Sequence, residues 1–180
     1  MSNVESTANN DYLLLSVQRT GTRFVQRLLT DAGIKTAQIH AVATREKQIE
    51  GWLERNEAED LPIIVPLRHP FSVAHSWLIR GDILENMFEQ WRQLILFCER
   101  SRVLFLPVDC HDQRNDYLAE MSAGVGKVLK TDWKPHGHKV GTEYMTQFNR
   151  ERIALLLKNS FFSKFYNGDV PHETWRGDHD

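Results

Sequence analysis

The stretch Tyr12–Leu29, YLLLSVQRTGTRFVQRLL, constrains this chain more than any other. Tyr12 to Val17 is a short apolar run bounded by a polar turn, the pattern of a buried strand. QRTGTR makes the turn, and Phe24, Val25, Leu28 and Leu29 then recur at helical spacing. Strand, glycine turn and helix together make a place for an anion. The first N–H groups of a helix lack internal partners, and its dipole adds partial positive charge there. Gly21 allows close backbone approach, Thr20 and Thr22 offer hydroxyls, and Arg19 and Arg23 add full charges. The pattern also suits an ordinary strand–turn–helix unit with exposed arginines.

The order strand, helix, strand, helix continues along the chain and predicts an α/β domain with a mostly parallel sheet of about four to five strands flanked by helices. Strands are expected at Tyr12–Val17, Lys35–Ile39, Ile63–Leu67 and Val103–Leu106, the last ended by Pro107. Helices are expected at Thr22–Ala32 (stopped by Gly33), Thr44–Glu57, Phe71–Ile79 and Leu84–Arg100, with a final helix around Ile153–Leu157. In Leu84–Arg100 the residues Leu84, Met87, Phe88, Trp91, Leu94, Ile95 and Cys98 share one apolar face, which is packing rather than a cofactor site. At 180 residues the chain fits one domain, spanning 11–169, with 1–10 and 170–180 loosely ordered.

A second segment, LPIIVPLRHPFSVAHSWLIR at Leu61–Arg80, repeats the strand-to-helix design. Arg68 ends the apolar run, and Pro70 suits the first helical turn. Ser72 and Ser76 are one turn apart on one helix face, able to point back toward Arg68. A guanidinium and two hydroxyls would converge there on a second anion; solvated helix-terminus residues are the alternative. Ligands on parallel sheets bind beyond the carboxyl ends of the strands, where Gln18–Arg23 and Arg68 both fall.

Neither segment is a Walker A loop, because Gly21 is followed by Thr22 and Arg23 rather than by the lysine and hydroxyl that motif needs. GVGKV at Gly124–Val128 follows no strand and has Val128 where magnesium needs a hydroxyl.

Together the two segments resemble the cytosolic-type and bacterial sulfotransferases that use PAPS (3′-phosphoadenosine 5′-phosphosulfate), over roughly the first two thirds of the chain, as a short bacterial- or phage-type member. Arg19-Thr20-Gly21-Thr22-Arg23-Phe24 falls on that family's 5′-phosphosulfate loop, [KR]-[ST]-G-T-[TS]-[WFL]. Arg68 to Ser76 falls on its 3′-phosphate motif, R-[ND]-P-x-D-x-x-x-S, with the Arg-to-Ser spacing kept. Gln18 stands where Pro is common, Arg23 replaces a hydroxyl residue and Ser72 replaces the frequent Asp.

The resemblance implies a P-loop-NTPase-like sulfotransferase fold and transfer of a sulfuryl group from PAPS, leaving PAP, to a hydroxyl or amine of a small-molecule or glycan acceptor. It implies cofactor contacts from Arg19, Thr20, Gly21, Thr22, Arg23, Phe24 (where the family stacks an aromatic on adenine), Arg68 and Ser76. Arg19 would also act on the leaving phosphate. It implies a histidine base after the second strand, which His40 matches, with Glu46 and Glu50 as fallbacks. A basic C-terminal loop over the 3′-phosphate finds its best candidate in Lys139-Val140-Gly141, within a segment also holding Lys127, Lys130 and Lys134; a solvated surface loop is the alternative. Phe24 equally suits the first core position of its helix. The competing readings are a small kinase-like nucleotide enzyme and a non-catalytic PAP-binding protein on the same fold.

Net charge is −2, so no global basic field suits nucleic acid. The two cysteines, Cys98 and Cys110, make neither a metal spacing nor a disulfide framework. His136-Gly137-His138 lacks companion ligands, so no metal is expected. No apolar run is long enough to cross a membrane, and 1–10 lacks a signal-peptide core, so a cytoplasmic location is expected.

Overall fold

The computed structural model describes residues 10–40, 47–55, 57–99, 103–109, 114–130 and 145–166. Four strands, β1 (Tyr12–Ser16), β2 (Thr36–His40), β3 (Ile63–Leu67) and β4 (Val103–Pro107), form one sheet in the order β2-β1-β3-β4. All three pairings are parallel. Seven helices are present among the described residues: α1 (Thr22–Asp31), α2 (Lys47–Arg55), α3 (Pro70–Ile79), α4 (Leu84–Cys98), α5 (Arg114–Val125), α6 (Gln147–Leu157) and α7 (Ser160–Ser163).

The central strands β1 and β3 are apolar on both faces because both faces are covered. Leu13, Leu15, Ile63, Val65 and Leu67 face a core completed by Phe71, Trp77, Trp91, Leu94, Ile153 and Phe162 from α3, α4, α6 and α7. The alternate residues Leu14, Ile64 and Leu106 face a smaller core with Val25, Leu28, Leu29 and Met121 from α1 and α5. Gly124 lies where a side chain would meet the Leu104 methyl groups at 2.9 Å, so Leu104 fills the space that a side chain on α5 would take.

The chain leaves β1 for β2 on one side and returns to β3 on the other. The carboxyl ends of β1 and β3 therefore flank a topological switch point, where open parallel sheets bind ligands. The bonded registers at this edge differ in length. The β1–β2 register runs to Ser16↔His40 and the β3–β4 register to Leu67↔Pro107. The β1–β3 register ends at Leu14↔Ile64. Leu13 N–H donates to Pro62 O at 3.0 Å, so every second residue of β3 faces β1 with its own donor, and the next after Ile64 is Pro66. Proline has no N–H to give.

β3 lies where the sequence puts it, and α1, α3 and α4 differ from expectation by one or two residues at an end. β2 ends on His40 rather than before it, and α2 is described from Lys47 to Arg55. Two helices are not expected from the sequence: α5, whose last turn takes up Ser122–Val125, and α7, which follows the helix expected to be last. No described helix is long and apolar enough to cross a membrane.

Candidate functional site

The loop after β1 is held in an unusual backbone shape. Arg19 has φ +74° and Gly21 φ +88°. Gly21 is the N-cap of α1, and its carbonyl accepts from the N–H groups of Phe24 at 3.0 Å and Val25 at 3.1 Å. A side chain at Gly21 would meet Val108 Cγ2 at 3.0 Å, so the glycine answers both to its dihedral and to the neighbouring strand end. Alternating positive φ values in a tight turn turn backbone N–H groups to one side, and α1 adds its unpaired amides and dipole.

The loop is anchored from behind. Gln18 N–H donates to Gln90 Oε1 of α4 at 3.1 Å, and Trp77 Nε1 of α3 donates to the Gln18 carbonyl at 3.2 Å. Proline at position 18 would forfeit the first of these bonds, which any other residue there keeps. The Thr20 hydroxyl donates to Val17 O at 2.8 Å, and Thr22 Oγ1 lies 2.9 Å from Ser16 Oγ. Both threonines are buried, with their hydroxyls bonded within the turn. Their inward bonds brace the turn and leave the amides as its outward donors.

Arg68 reaches this loop from the end of β3. Its Nη1 lies 3.5 Å from the Arg19 carbonyl, so the two predicted anion elements meet at the carboxyl ends of β1 and β3. Burial lowers the Arg68 pKa, and the negative charge of Asp109 and the Tyr166 hydroxyl oppose that shift. The guanidinium stays charged, because its ordinary value is far above neutrality. Arg19 Nε is buried and finds no hydrogen-bond partner within the protein. An anion in the crevice would supply one, so the residues present fit a phosphate-bearing ligand.

Pro70 takes the first position of α3 as expected, behind His69 as N-cap. Ser72 and Ser76 are half-buried on that helix. Arg23 is exposed on the first turn of α1, and Phe24 is half-buried against the smaller core. Glu50 is exposed on α2. His40 closes β2 at the same carboxyl edge as the loop and Arg68, paired in register with Ser16; its backbone alone is described. Glu46, Lys139 and Cys110 lie outside the described residues, with most of the lysine segment. Lys127 is an exception: its Nζ donates to Gly33 O at 3.1 Å, at the far end of α1 from the anion loop.

Three residues at the site carry no local signal in the sequence. Gln90 is one. The others are Asp109, just beyond β4, and Tyr166, just beyond α7. His69 N–H donates to Asp109 Oδ2 at 2.8 Å, and Tyr166 Oη donates to Asp109 Oδ1 at 2.9 Å. The His69 ring accepts from Phe71 N–H at 3.3 Å and meets the Tyr166 ring edge-on at 5.0 Å between centroids. Burial raises the Asp109 pKa, and the bonds from His69 and Tyr166 and the charge of Arg68 offset part of that.

Among the described residues no cluster of His, Cys, Asp or Glu could hold a metal ion. Comparison with protein-family models, curated proteins and solved structures yields no match.

Proposed function

We propose that this protein is a PAPS-dependent sulfotransferase of P-loop-like fold, moving a sulfuryl group to a hydroxyl or amine of a small-molecule or glycan acceptor. The reading is carried by one observation: the Arg19–Gly21 turn and Arg68, the two segments that resemble the family, meet at the switch point with Arg68 Nη1 3.5 Å from Arg19 O. PAPS would supply the activated sulfuryl group. The amides of residues 20–23 and Arg19 would hold its 5′ end, and Arg68 with Ser76 its 3′-phosphate. His40, at the end of β2, would take the acceptor proton.

A kinase-like enzyme would need a loop hydroxyl turned toward the phosphates and their magnesium, whereas the Thr20 and Thr22 hydroxyls are bonded inward. The 3′-phosphate separates the readings. PAP should bind far more tightly than AMP, and Arg68→Ala should remove about 2–4 kcal/mol of that preference, since the phosphate loses a charged, two-pronged partner. Calorimetric titration of both proteins with PAP, AMP and ATP tests it. Equal affinity of the wild type for PAP and AMP overturns the sulfotransferase reading. PAP binding with no transfer to any acceptor leaves a non-catalytic binding protein.

A further inference from the structure

We propose that Asp109 is a positioning residue that ties the C-terminal turn around Tyr166 to the Arg68 side of the crevice. Its consequence for ligand binding rests on the function proposed above. Asp109 comes off the end of β4, which is fixed to β3 one step beyond the strands by Val108 N–H on Leu67 O at 2.8 Å. From there its carboxylate spans two elements. One oxygen holds the His69 amide at 2.8 Å, and the other the Tyr166 hydroxyl at 2.9 Å. His69 directly follows Arg68 and caps α3, so fixing its amide fixes the backbone from which the guanidinium projects. Tyr166 closes the loop by packing its ring on that of His69. The negative charge of Asp109 also acts on Arg68.

The geometry gives the charge and the hydrogen bonds opposite effects. The bonds place Arg68. The charge repels any anion that Arg68 receives. Asparagine separates the two, because its oxygen can hold the His69 amide while its NH₂ donates to a Tyr166 hydroxyl turned to accept. Asp109→Asn should therefore bind PAP as tightly as the wild type or up to about tenfold tighter. Asp109→Ala should bind it about ten- to a hundredfold more weakly, the loss expected for a charge-assisted bond left unmade. Tyr166→Phe should lie between, a few-fold weaker.

The test combines calorimetry with amide exchange followed by NMR on the full-length chain. The His69 amide should exchange at least about tenfold faster in Asp109→Ala and a few-fold faster in Tyr166→Phe, with Asp109→Asn near wild type. Unchanged exchange in Tyr166→Phe overturns the link to the C-terminal turn. PAP affinity in Asp109→Ala equal to that of the wild type overturns the link to Arg68. Asn and Ala variants that weaken PAP equally overturn the division between charge and bonds. A wild type that binds no PAP removes the sulfotransferase reading alone, since the exchange rates still decide whether Asp109 joins the two segments. If Asp109→Ala fails to fold, Tyr166→Phe and Asp109→Asn carry the same decision.

Discussion

Arg19 is the place where stability and function should pull apart. Its φ of +74° is a left-handed conformation that a side chain with a Cβ adopts at a cost of about 1–2 kcal/mol. Its Nε is buried with no partner in the protein, a further penalty of about 1–3 kcal/mol for an unpaired donor. The contact with Arg68 uses the Arg19 carbonyl, which every substitution keeps. Arg19→Ala removes the unpaired donor and retains the dihedral strain. Arg19→Gly removes both, set against about 0.4–1 kcal/mol for the greater freedom of glycine in the unfolded chain. Glycine should thus be more stable than alanine by up to about 1.5 kcal/mol, with both at least as stable as the wild type. Urea denaturation followed by tryptophan fluorescence, with equal m-values, measures this. Both variants should lose PAP affinity ten- to a hundredfold, about what one charged hydrogen bond contributes. An alanine variant more stable than the glycine variant would refute the strain argument. Wild-type PAP affinity in either would remove the Arg19 side chain from the site.

Gly21→Ala should cost about 2–4 kcal/mol, combining its positive φ with overpacking against Val108. Val108→Ala in the same chain should recover only the packing share, and full recovery in urea denaturation would show that the dihedral carries no cost. His40→Ala should lower kcat by about 10²–10⁴ with PAP affinity near wild type. Normal turnover there, with a dead Glu46→Gln, would move the base to the glutamate. Asp109 is expected to make stability fall as pH rises. Its folded pKa is raised, so its stabilising contribution is complete below the unfolded value of about 3.9 and is lost as pH passes the folded value. Asp109→Asn, facing the same Arg68, His69 and Tyr166, should gain on the wild type as pH rises through that window. A stability difference that stays constant from acid to neutral pH would contradict this.

What the sequence reveals follows from the range of the forces involved. β3 is legible residue for residue because a strand buried on both faces is a continuous apolar run. α4 is legible because Leu84, Met87, Trp91 and Leu94 point one way for about three turns, all buried. α5 touches the smaller core mainly through Tyr117, Leu118, Met121 and Val125, and serine, alanine and glycine dilute that stripe. α7 is a single turn, set by the Asn159 cap and by Phe161 and Phe162. In the site, Arg19, Gly21 and Arg68 are readable because a strand end and a helix start announce them locally. Asp109 and Tyr166 are 57 residues apart, and Gln18 and Gln90 are 72 apart. Such pairs exist only once the sheet has brought its carboxyl edge together. The inward turn of the Thr20 and Thr22 hydroxyls was equally hidden, since it depends on Val17 O and Ser16 Oγ lying within reach.

Pro66 links these two scales. Read along the chain it is one more apolar residue in IIVPL, and a proline there argues against a central strand. In the sheet it stands in a central strand on the side that faces β1, paired on its other side with Leu106. Bonding to β4 continues past it while bonding to β1 stops at Ile64. The ladder of β3 is thus kept to its end on one side and released early on the other. Release at any earlier residue would cost the sheet its middle; release at Pro66 costs only the last bonds, at the edge where Arg19 and Arg68 meet. The missing N–H in β3 and the positive φ angles of Arg19 and Gly21 are thus departures from regularity at the same end of the sheet. Each gives up local regularity at the sheet edge where the Arg68 guanidinium meets the Arg19 carbonyl.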